Sequence, residues 1–231
     1  SLHGALPITS HHGVSAIIWL SPQPSALPVM EQIQQDARYP LVVTDVFHQE
    51  LRRNMLERKL NLVTNDYSFA GKLVADFFHE RNHRSVLYID NPLSMLSHRF
   101  PDYFQKLGIA FAPEHNFDTK EIEPLLVERI RRFKVTGIFS EGGLPAYQKI
   151  VRILMTLPPA ERPELIVRKT EESVSFLRKA GRELRIPAMV STDYAKLGRA
   201  AAQQIVECLK SGGSVHPEVL PATAIEPLPS R

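Results

Sequence analysis

The chain has 231 residues, 43% hydrophobic and 23% charged, which is typical of a soluble globular protein with one large domain or two small lobes. Its 28 basic and 25 acidic residues leave a formal charge of only +3, so charge alone does not indicate a nucleic-acid partner. The single cysteine, Cys208, excludes a disulfide framework. No run approaches the roughly 18 apolar residues of a membrane span, and no secretion signal opens the sequence. We therefore expect a cytoplasmic protein with no membrane partner.

Short apolar runs alternate with helical patterns along the chain. The runs that predict strands are residues 15–21, 40–46, 61–64, 85–90, 135–140, 164–168 and 187–192. Several are apolar throughout, which is typical of strands buried on both faces of a parallel sheet. Apolar residues at helical spacing predict helices over 67–81, 121–133, 144–157 and 193–211. This alternation indicates βαβ units, and therefore an α/β fold with mostly parallel sheets.

The run HERNH, residues 79–83, matches the H-E-x-x-H pattern of zinc peptidases. Zinc binding requires both histidines on one face of a continuous helix, and a third protein ligand. The strand-like run that begins at residue 85 predicts instead that the helix ends near Arg81 and that His83 lies in a turn. We therefore expect His83 to orient that turn, and we expect no metal, no catalytic residue and no cofactor.

Three further patterns have a structural and a functional interpretation. The run SEGGLPA, residues 140–146, could cradle an anion at a helix N-terminus, but Glu141 would repel it, so a tight strand-to-helix turn is favoured. Cys208 lies in an amphipathic helical pattern, which favours inert packing over a reactive thiol. The basic stretches 51–59 and 128–134 lack a helix–turn–helix pattern, so we interpret them as solvated faces.

Residues 65–90, NDYSFAGKLVADFFHERNHRSVLYID, resemble the effector-binding domain of the LacI/GalR transcriptional repressors. In that family a strand, a helix and a Gly-His-Arg turn lead into the next strand. Here Asn82-His83-Arg84 holds the turn, and asparagine is the best substitute for glycine in a left-handed helix terminus. The similarity continues in residues 13–22, 39–45, 97–109, 135–151 and 191–213, so that it covers about residues 13–231.

The chain departs from the family pattern at three places. Glu141-Gly142-Gly143 stands where the family often has an Asn-Asp pair that holds a sugar, and Lys169-Thr170-Glu171-Glu172 replaces a Gly-Phe-Asp-Asp. The family's first strand, helix and second strand, and its DNA-binding headpiece, have no counterpart before Gly13. We therefore expect the strand at 15–21 to lack a neighbour on one side.

The resemblance implies a two-lobed, type I periplasmic-binding-protein-like fold, in which each lobe is a mostly parallel sheet flanked by helices. The N-terminal lobe is expected in residues 1–65 plus 193–216, and the C-terminal lobe in 66–192 plus 217–231. The implied function is the ligand-sensing and dimerisation domain of a bacterial transcriptional regulator. Its partners would be a small-molecule effector in the interlobe cleft, a second copy of the chain, and operator DNA through a headpiece outside this chain. A solute-binding protein of a transport system is the alternative.

Six residues at or just after strand ends are the expected ligand contacts: Arg99, Tyr194, Asp45, Trp19, Glu141 and Glu171. Arg99 takes the place of an arginine that often contacts the effector in the family, and its fork of donors suits an anionic or hydroxylated ligand. The three carboxylates could accept hydrogen bonds from hydroxyls or pair with an amine. The two aromatic rings could stack on a sugar or a base.

Overall fold

The computed structural model describes residues 15–36, 39–46, 48–89, 99–211 and 216–228. The strands are β1 (Ile17–Leu20), β2 (Leu41–Thr44), β3 (Leu62–Asn65), β4 (Val86–Ile89), β5 (Asn116–Phe117), β6 (Gly137–Ser140), β7 (Glu164–Arg168), β8 (Ala188–Thr192), β9 (Glu218–Leu220) and β10 (Thr223–Pro227). The helices are α1 (Leu27–Asp36), α2 (Gln49–Glu57), α3 (Tyr67–Glu80), α4 (Phe100–Lys106), α5 (Ile122–Arg132), α6 (Gly143–Thr156), α7 (Glu171–Ala180) and α8 (Tyr194–Ser211).

The chain forms two compact units. Unit 1 comprises Ser1–Asp66 and Asp193–Ala222, and unit 2 comprises Tyr67–Thr192 and Thr223–Arg231. Residues 217–222 were expected in the second lobe, but they belong to unit 1. Residues Glu218–Leu220 form β9, which pairs in parallel with β3, so these residues complete the sheet of unit 1.

Unit 1 is a four-stranded parallel sheet in the order β1-β2-β3-β9, with helices on both faces. Because side chains alternate along a strand, Leu41 and Val43 pack against α1 and α2, whereas Val42 packs against α8. All four residues of β2 are buried, as expected for a strand covered on both sides.

Strand β1 forms one edge of this sheet. In the described part of the chain it pairs only with β2, as the sequence predicted. Ile17 packs against the core beneath α1 and α2, but Ile18 and Leu20 point to the other face and are 48% and 61% exposed.

Unit 2 is a six-stranded sheet in the order β10-β8-β7-β6-β4-β5. Strand β10 is antiparallel to β8, and the other strands are parallel. One face packs on α5, α6 and α7 through residues such as Leu126, Ile150 and Leu177. On the other side, the rings of Phe78, Phe100, Phe104, Tyr88 and Phe139 contact one another, which joins α3 and α4 to β4 and β6.

The sequence predicted the central elements of both sheets. Six of its seven apolar runs contain a whole strand, and the run 61–64 covers all of β3 except Asn65. Its four helices match α3, α5, α6 and α8 to within two residues at either end. Apolar spacing did not predict α1, α2, α4 and α7, nor the strands β5, β9 and β10. The predicted class, an α/β protein with mostly parallel sheets flanked by helices, is confirmed.

The HERNH segment ends a helix, as predicted. Helix α3 stops at Glu80, and Asn82 adopts a left-handed φ of 61°. The Asn82 and His83 amides then donate to the carbonyls of His79 and Phe78, at 2.9 and 3.0 Å. This pattern is a Schellman motif, and the edge contact of the His83 and Phe78 rings completes it.

No group of three histidine, cysteine, aspartate or glutamate side chains in the described ranges could hold a metal ion. Within those ranges, no helix has the length and apolar character needed to cross a membrane.

Candidate functional site

The carboxyl ends of β4, β6 and β7 lie at one edge of the unit 2 sheet, because these strands are parallel neighbours. We call this side the carboxyl edge of the sheet. Glu141 is the first residue after β6 and lies in the turn between β6 and α6, which the sequence predicted. Gly142 fits that turn because a Cβ there would lie 2.5 Å from Thr119 Cγ2 and 2.6 Å from Ala146 Cβ. The close packing at Gly142 therefore fixes the position of the neighbouring Glu141 backbone.

Tyr88, Glu141 and Arg168 form a polar cluster at this edge, the Glu141 cluster. The Tyr88 hydroxyl donates to Glu141 Oε2 at 2.6 Å, and Arg168 Nη1 lies 3.5 Å from Glu141 Oε1. The side chains of Glu141 and Arg168 are only 7% and 17% exposed. A carboxylate and a guanidinium therefore stand together where water is largely excluded, which strengthens their electrostatic interactions.

One ring contact and one hydrogen bond to the backbone hold Tyr88 and Arg168 in position. Tyr88 lies in the buried strand β4 and its ring stacks on Phe139, with 5.6 Å between centroids. The Tyr147 hydroxyl of α6 donates to the Arg168 carbonyl at 2.9 Å. The three charged or polar groups thus come from β4, the β6–α6 turn and β7, which are adjacent in the sheet.

A second charged group follows β7. The Lys169 ammonium donates to Glu226 Oε2 at 2.6 Å, and the Ser191 hydroxyl donates to Glu226 Oε1 at 2.6 Å. These two donors, Lys169 first, hold the pKa of Glu226 below its usual value. Lys169 therefore links the end of β7 to β10 across β8.

In unit 1, Ser21 and Asp45 follow the adjacent strands β1 and β2. The Ser21 hydroxyl donates to Asp45 Oδ2 at 2.8 Å, and the Ser21 amide donates to the Thr44 carbonyl at 3.0 Å. Both residues have left-handed backbones, with φ of 47° and 60°. Strained conformations of this kind in residues other than glycine concentrate at functional sites. Asp45 is 3% exposed, so its carboxylate is largely shielded from water.

Comparison with known proteins gives a fold but no sequence relative. No protein-family model and no curated protein matches the chain. A transcription regulator from Lactobacillus plantarum superposes with a TM-score of 0.72 at 14% identity, over 98% of this chain and 84% of that one. The glucose-galactose binding protein GanP from Geobacillus stearothermophilus gives 0.68 at 17%, over 98% and 80%. A dimeric Lac repressor with a C-terminal deletion gives 0.69 at 12%, over 98% and 80%.

The chain has the type I periplasmic-binding-protein-like fold. Identities of 12–17% establish the fold alone, and the proteins that share it here are binding proteins and transcription regulators by name.

The six residues predicted from the sequence occupy different places within this fold. Glu141 belongs to the Glu141 cluster. Glu171 is the first residue of α7 and is exposed, while Thr170 caps that helix. Arg99 immediately precedes α4, and a Cβ on Gly71 would lie 3.5 Å from the Arg99 Cβ. In the described part of unit 2, neither Arg99 nor Glu171 has a hydrogen bond to Glu141.

Three of the predicted residues belong to unit 1. Asp45 is paired with Ser21 just after the carboxyl ends of β1 and β2. Tyr194 is the first residue of α8 and is 47% exposed, and Asp193 caps that helix by accepting a hydrogen bond from the Lys196 amide at 2.8 Å. Trp19 lies within β1, is half-buried, and packs against the core beneath α1 and α2. Its role as a ligand contact stays a prediction.

Four polar partners at these strand ends were not predicted from the sequence: Ser21, Tyr88, Arg168 and Lys169. Arg168 carries a detectable signal, since a charged residue that ends a buried apolar run lies at a strand's carboxyl end. Tyr88 gives no such signal, because its position inside the run 85–90 indicates only a core residue.

Proposed function

We propose that this chain is the ligand-sensing and dimerisation domain of a bacterial LacI-type transcriptional regulator. The Glu141 cluster is the observation that carries the proposal. In open α/β sheets, ligands bind outside the carboxyl ends of the strands, and the cluster stands at that place in unit 2. The Glu141 carboxylate accepts hydrogen bonds and the Arg168 guanidinium donates them. A hydroxyl group both donates and accepts, so the two side chains together can bind hydroxyl groups of a ligand.

The proposed effector is a small polar metabolite, sugar-like or of similar size. Glu141 and Arg168 would contact its hydroxyl or charged groups, and Arg99 and Glu171 would add a donor and an acceptor. Asp45 and Tyr194 are the proposed contacts from unit 1, as a carboxylate and a stacking ring, with Trp19 as a further aromatic candidate. The fold shared with a glucose-galactose binding protein supports this ligand class.

The proposed assembly is a cytoplasmic homodimer that reaches operator DNA through a headpiece outside this chain. Ligand binding would change the relation of the two subunits, and with it the spacing of the two DNA-binding modules. The fold shared with a dimeric Lac repressor supports this arrangement. No metal, cofactor or catalytic step has a place in it.

A solute-binding protein of a transport system is the second candidate, because GanP superposes with a TM-score similar to those of the regulators. The coding sequence upstream of Ser1 separates the two. A helix–turn–helix would favour the regulator, and a secretion signal would favour the transport protein.

A thermal-shift screen of sugars, sugar acids, nucleosides and amino acids tests ligand binding, since a ligand that binds only the folded state raises Tm. With the ligand so found, Glu141→Gln and Arg99→Ala are expected to remove most of the shift. The matched controls Glu128→Gln and Arg178→Ala, on exposed faces of α5 and α7, are expected to preserve it. An unchanged shift in Glu141→Gln would contradict the proposed site.

A further inference from the structure

A pocket lies at the amino edge of the unit 2 sheet, opposite the Glu141 cluster. His83 and Thr136 precede β4 and β6, Glu164 opens β7, and Arg185 precedes β8, so all four stand where parallel strands begin. Together with the ends of α3 and α5 they line an open pocket of about 670 Å³. This volume is within the range of sites that hold small organic ligands.

The floor of the pocket is a closed polar network around Glu164. Arg81 donates to both carboxylate oxygens of Glu164, at 2.8 and 2.9 Å. His83 Nε2 lies 3.1 Å from Glu164 Oε2, and its Nδ1 lies 3.0 Å from the Thr136 hydroxyl oxygen. Because the charge of Glu164 is matched by Arg81, the floor adds little negative potential to the pocket.

The rim is strongly basic. The pocket is lined by five cationic side chains and two carboxylates, and the cations are Arg81, Arg131, Lys134, Arg162 and Arg185. Arg131 pairs with the second carboxylate, Glu161, at 3.1 Å, and both side chains are exposed. In the described part of the chain, Lys134 has no ion-pair partner, and Arg185 donates only to the Arg162 carbonyl, at 2.8 Å.

Helices α3 and α5 end at this pocket, and α6 ends shortly before its lining residue Arg162. Helix carboxyl termini disfavour anions unless their carbonyls are satisfied. At the end of α5, the Lys134 and Val135 amides donate to the carbonyls of Arg131 and Ile130. At the end of α3, the Schellman motif at Asn82 satisfies the carbonyls of His79 and Phe78. At the end of α6, Arg162 donates to the carbonyls of Leu157 and Met155, at 2.9 and 3.2 Å. Six carbonyls at these helix ends therefore have hydrogen-bond donors, and Lys134 and Arg185 remain available to a ligand.

We propose that this pocket binds a small phosphorylated metabolite, with Lys134 and Arg185 as its principal contacts and Arg131 as a third. Guanidinium forks match phosphate oxygens in a bidentate geometry, and an ammonium adds a point charge. The proposal concerns a site at the other edge of the sheet, and it does not depend on the proposed function.

Inorganic pyrophosphate is the probe, titrated by calorimetry into the purified chain at low and high salt. We expect saturable binding at one site, weakened by salt because the rim charges are exposed to solvent. Lys134→Gln and Arg185→Gln should each weaken binding by about threefold or more, and the double variant by about tenfold or more. Arg178→Gln, an equal charge change on α7, should leave the affinity unchanged.

Glu161→Gln gives a test that misfolding cannot imitate, because it should tighten binding. The substitution removes the repelling carboxylate and releases Arg131 for the ligand, so we expect about a threefold gain in affinity. Binding of a duplex DNA of random sequence is measured with the same variants. The duplex carries phosphate groups on a macromolecule, so it distinguishes nucleic-acid binding from binding of a small phosphorylated ligand.

The proposal is overturned if pyrophosphate fails to bind at low salt, or if Arg178→Gln weakens binding as much as Lys134→Gln does. It is equally overturned if Glu161→Gln leaves the affinity unchanged, or if the pocket variants alter binding of the DNA duplex but not of pyrophosphate.

Discussion

Arg81 and Glu164 form a two-point ion pair although 83 residues separate them in the chain. Arg81 stands at the end of α3 and Glu164 opens β7, so the pair ties a helix terminus to the amino edge of the unit 2 sheet. His83, two residues after Arg81, contacts the same carboxylate at 3.1 Å. The segment that matches a zinc-peptidase pattern therefore contributes two of the partners of one nearly buried glutamate.

Removing the charge of Glu164 should destabilise the chain. Glu164→Gln leaves Arg81 and His83 facing an amide, and we expect the free energy of unfolding to fall by about 1–3 kcal/mol. Glu128→Gln breaks an exposed contact with Arg132 on α5 and should cost less than about 1 kcal/mol. Urea unfolding followed by circular dichroism measures both. An equal decrease in the free energy of unfolding in both variants would show that the Glu164 network stabilises the fold no more than an exposed ion pair does.

The same network predicts a stability change in acid. Arg81 first, and His83 after it, hold the pKa of Glu164 below its usual 4.5. Protonation is therefore less favourable in the folded state, so the stabilisation is present above pH 4.5 and is lost as the pH falls through the folded-state pKa. Urea unfolding at descending pH should show a shallower loss for Glu164→Gln than for the unaltered chain. Parallel curves would contradict this assignment.

A second pH effect is expected nearer neutrality, from His115. Its ring is buried against Phe133, with 4.4 Å between centroids, and burial lowers its pKa below the usual 6.5. The unfolded state thus binds the proton more readily, so stability is complete above 6.5 and declines as the pH falls below it. His115→Gln should remove that decline between about pH 7 and pH 5, where most carboxylates stay ionised. His79→Gln, an exposed histidine on α3, is the control and should keep it.

Asn82 should be replaceable by glycine but not by alanine. Its φ of 61° is strained for any residue with a Cβ, and asparagine tolerates it better than alanine does. We expect Asn82→Ala to be less stable than Asn82→Gly by about 1 kcal/mol. Thermal unfolding of the two variants measures the difference. Identical Tm values would mean that the helix end does not depend on the left-handed residue.

Two glycines should respond oppositely to alanine. A Cβ on Gly137 would lie 2.6 Å from Phe78 Cε1, inside a packed core, so Gly137→Ala should cost about 1–3 kcal/mol. Gly198 lies in α8, where a Cβ would have no other atom within 4 Å, so Gly198→Ala should stabilise by about 0.5–1 kcal/mol. Denaturant unfolding compares both with the unaltered chain, and a shift of the same sign in both would contradict the packing at Gly137.

Elements with a strong periodic signal were predictable from the sequence. β2, β4 and β6 form apolar runs because both of their faces are covered, and α3 and α8 carry long apolar stripes. Helix α7 gives a weak signal, since Ser173 and Leu177 are its only buried residues. β9 has only three residues, and prolines lie next to β9 and at the end of β10. Both strands form because they pair with strands from other parts of the chain, β3 and β8.

The candidate site was predictable only one residue at a time. Glu141 stands out because a charged side chain directly follows a buried strand. Tyr88 does not stand out, because it has the pattern of a core residue. Arg168 stands out as a charged strand end, but only the order of strands in the sheet brings it and Tyr88 to Glu141. The Ser21–Asp45 pair depends likewise on the left-handed backbone of both residues, which sequence periodicity does not report.

The most direct test of ligand binding at the carboxyl edge of unit 2 is a nitrogen–proton NMR titration with the ligand that the thermal-shift screen selects. We predict that the largest chemical-shift changes in unit 2 fall on the amides of Glu141, Gly142 and Lys169, and that Glu141→Gln abolishes them. Changes concentrated instead at His83, Thr136 and the other residues of the amino edge would contradict the proposed binding site at the carboxyl edge.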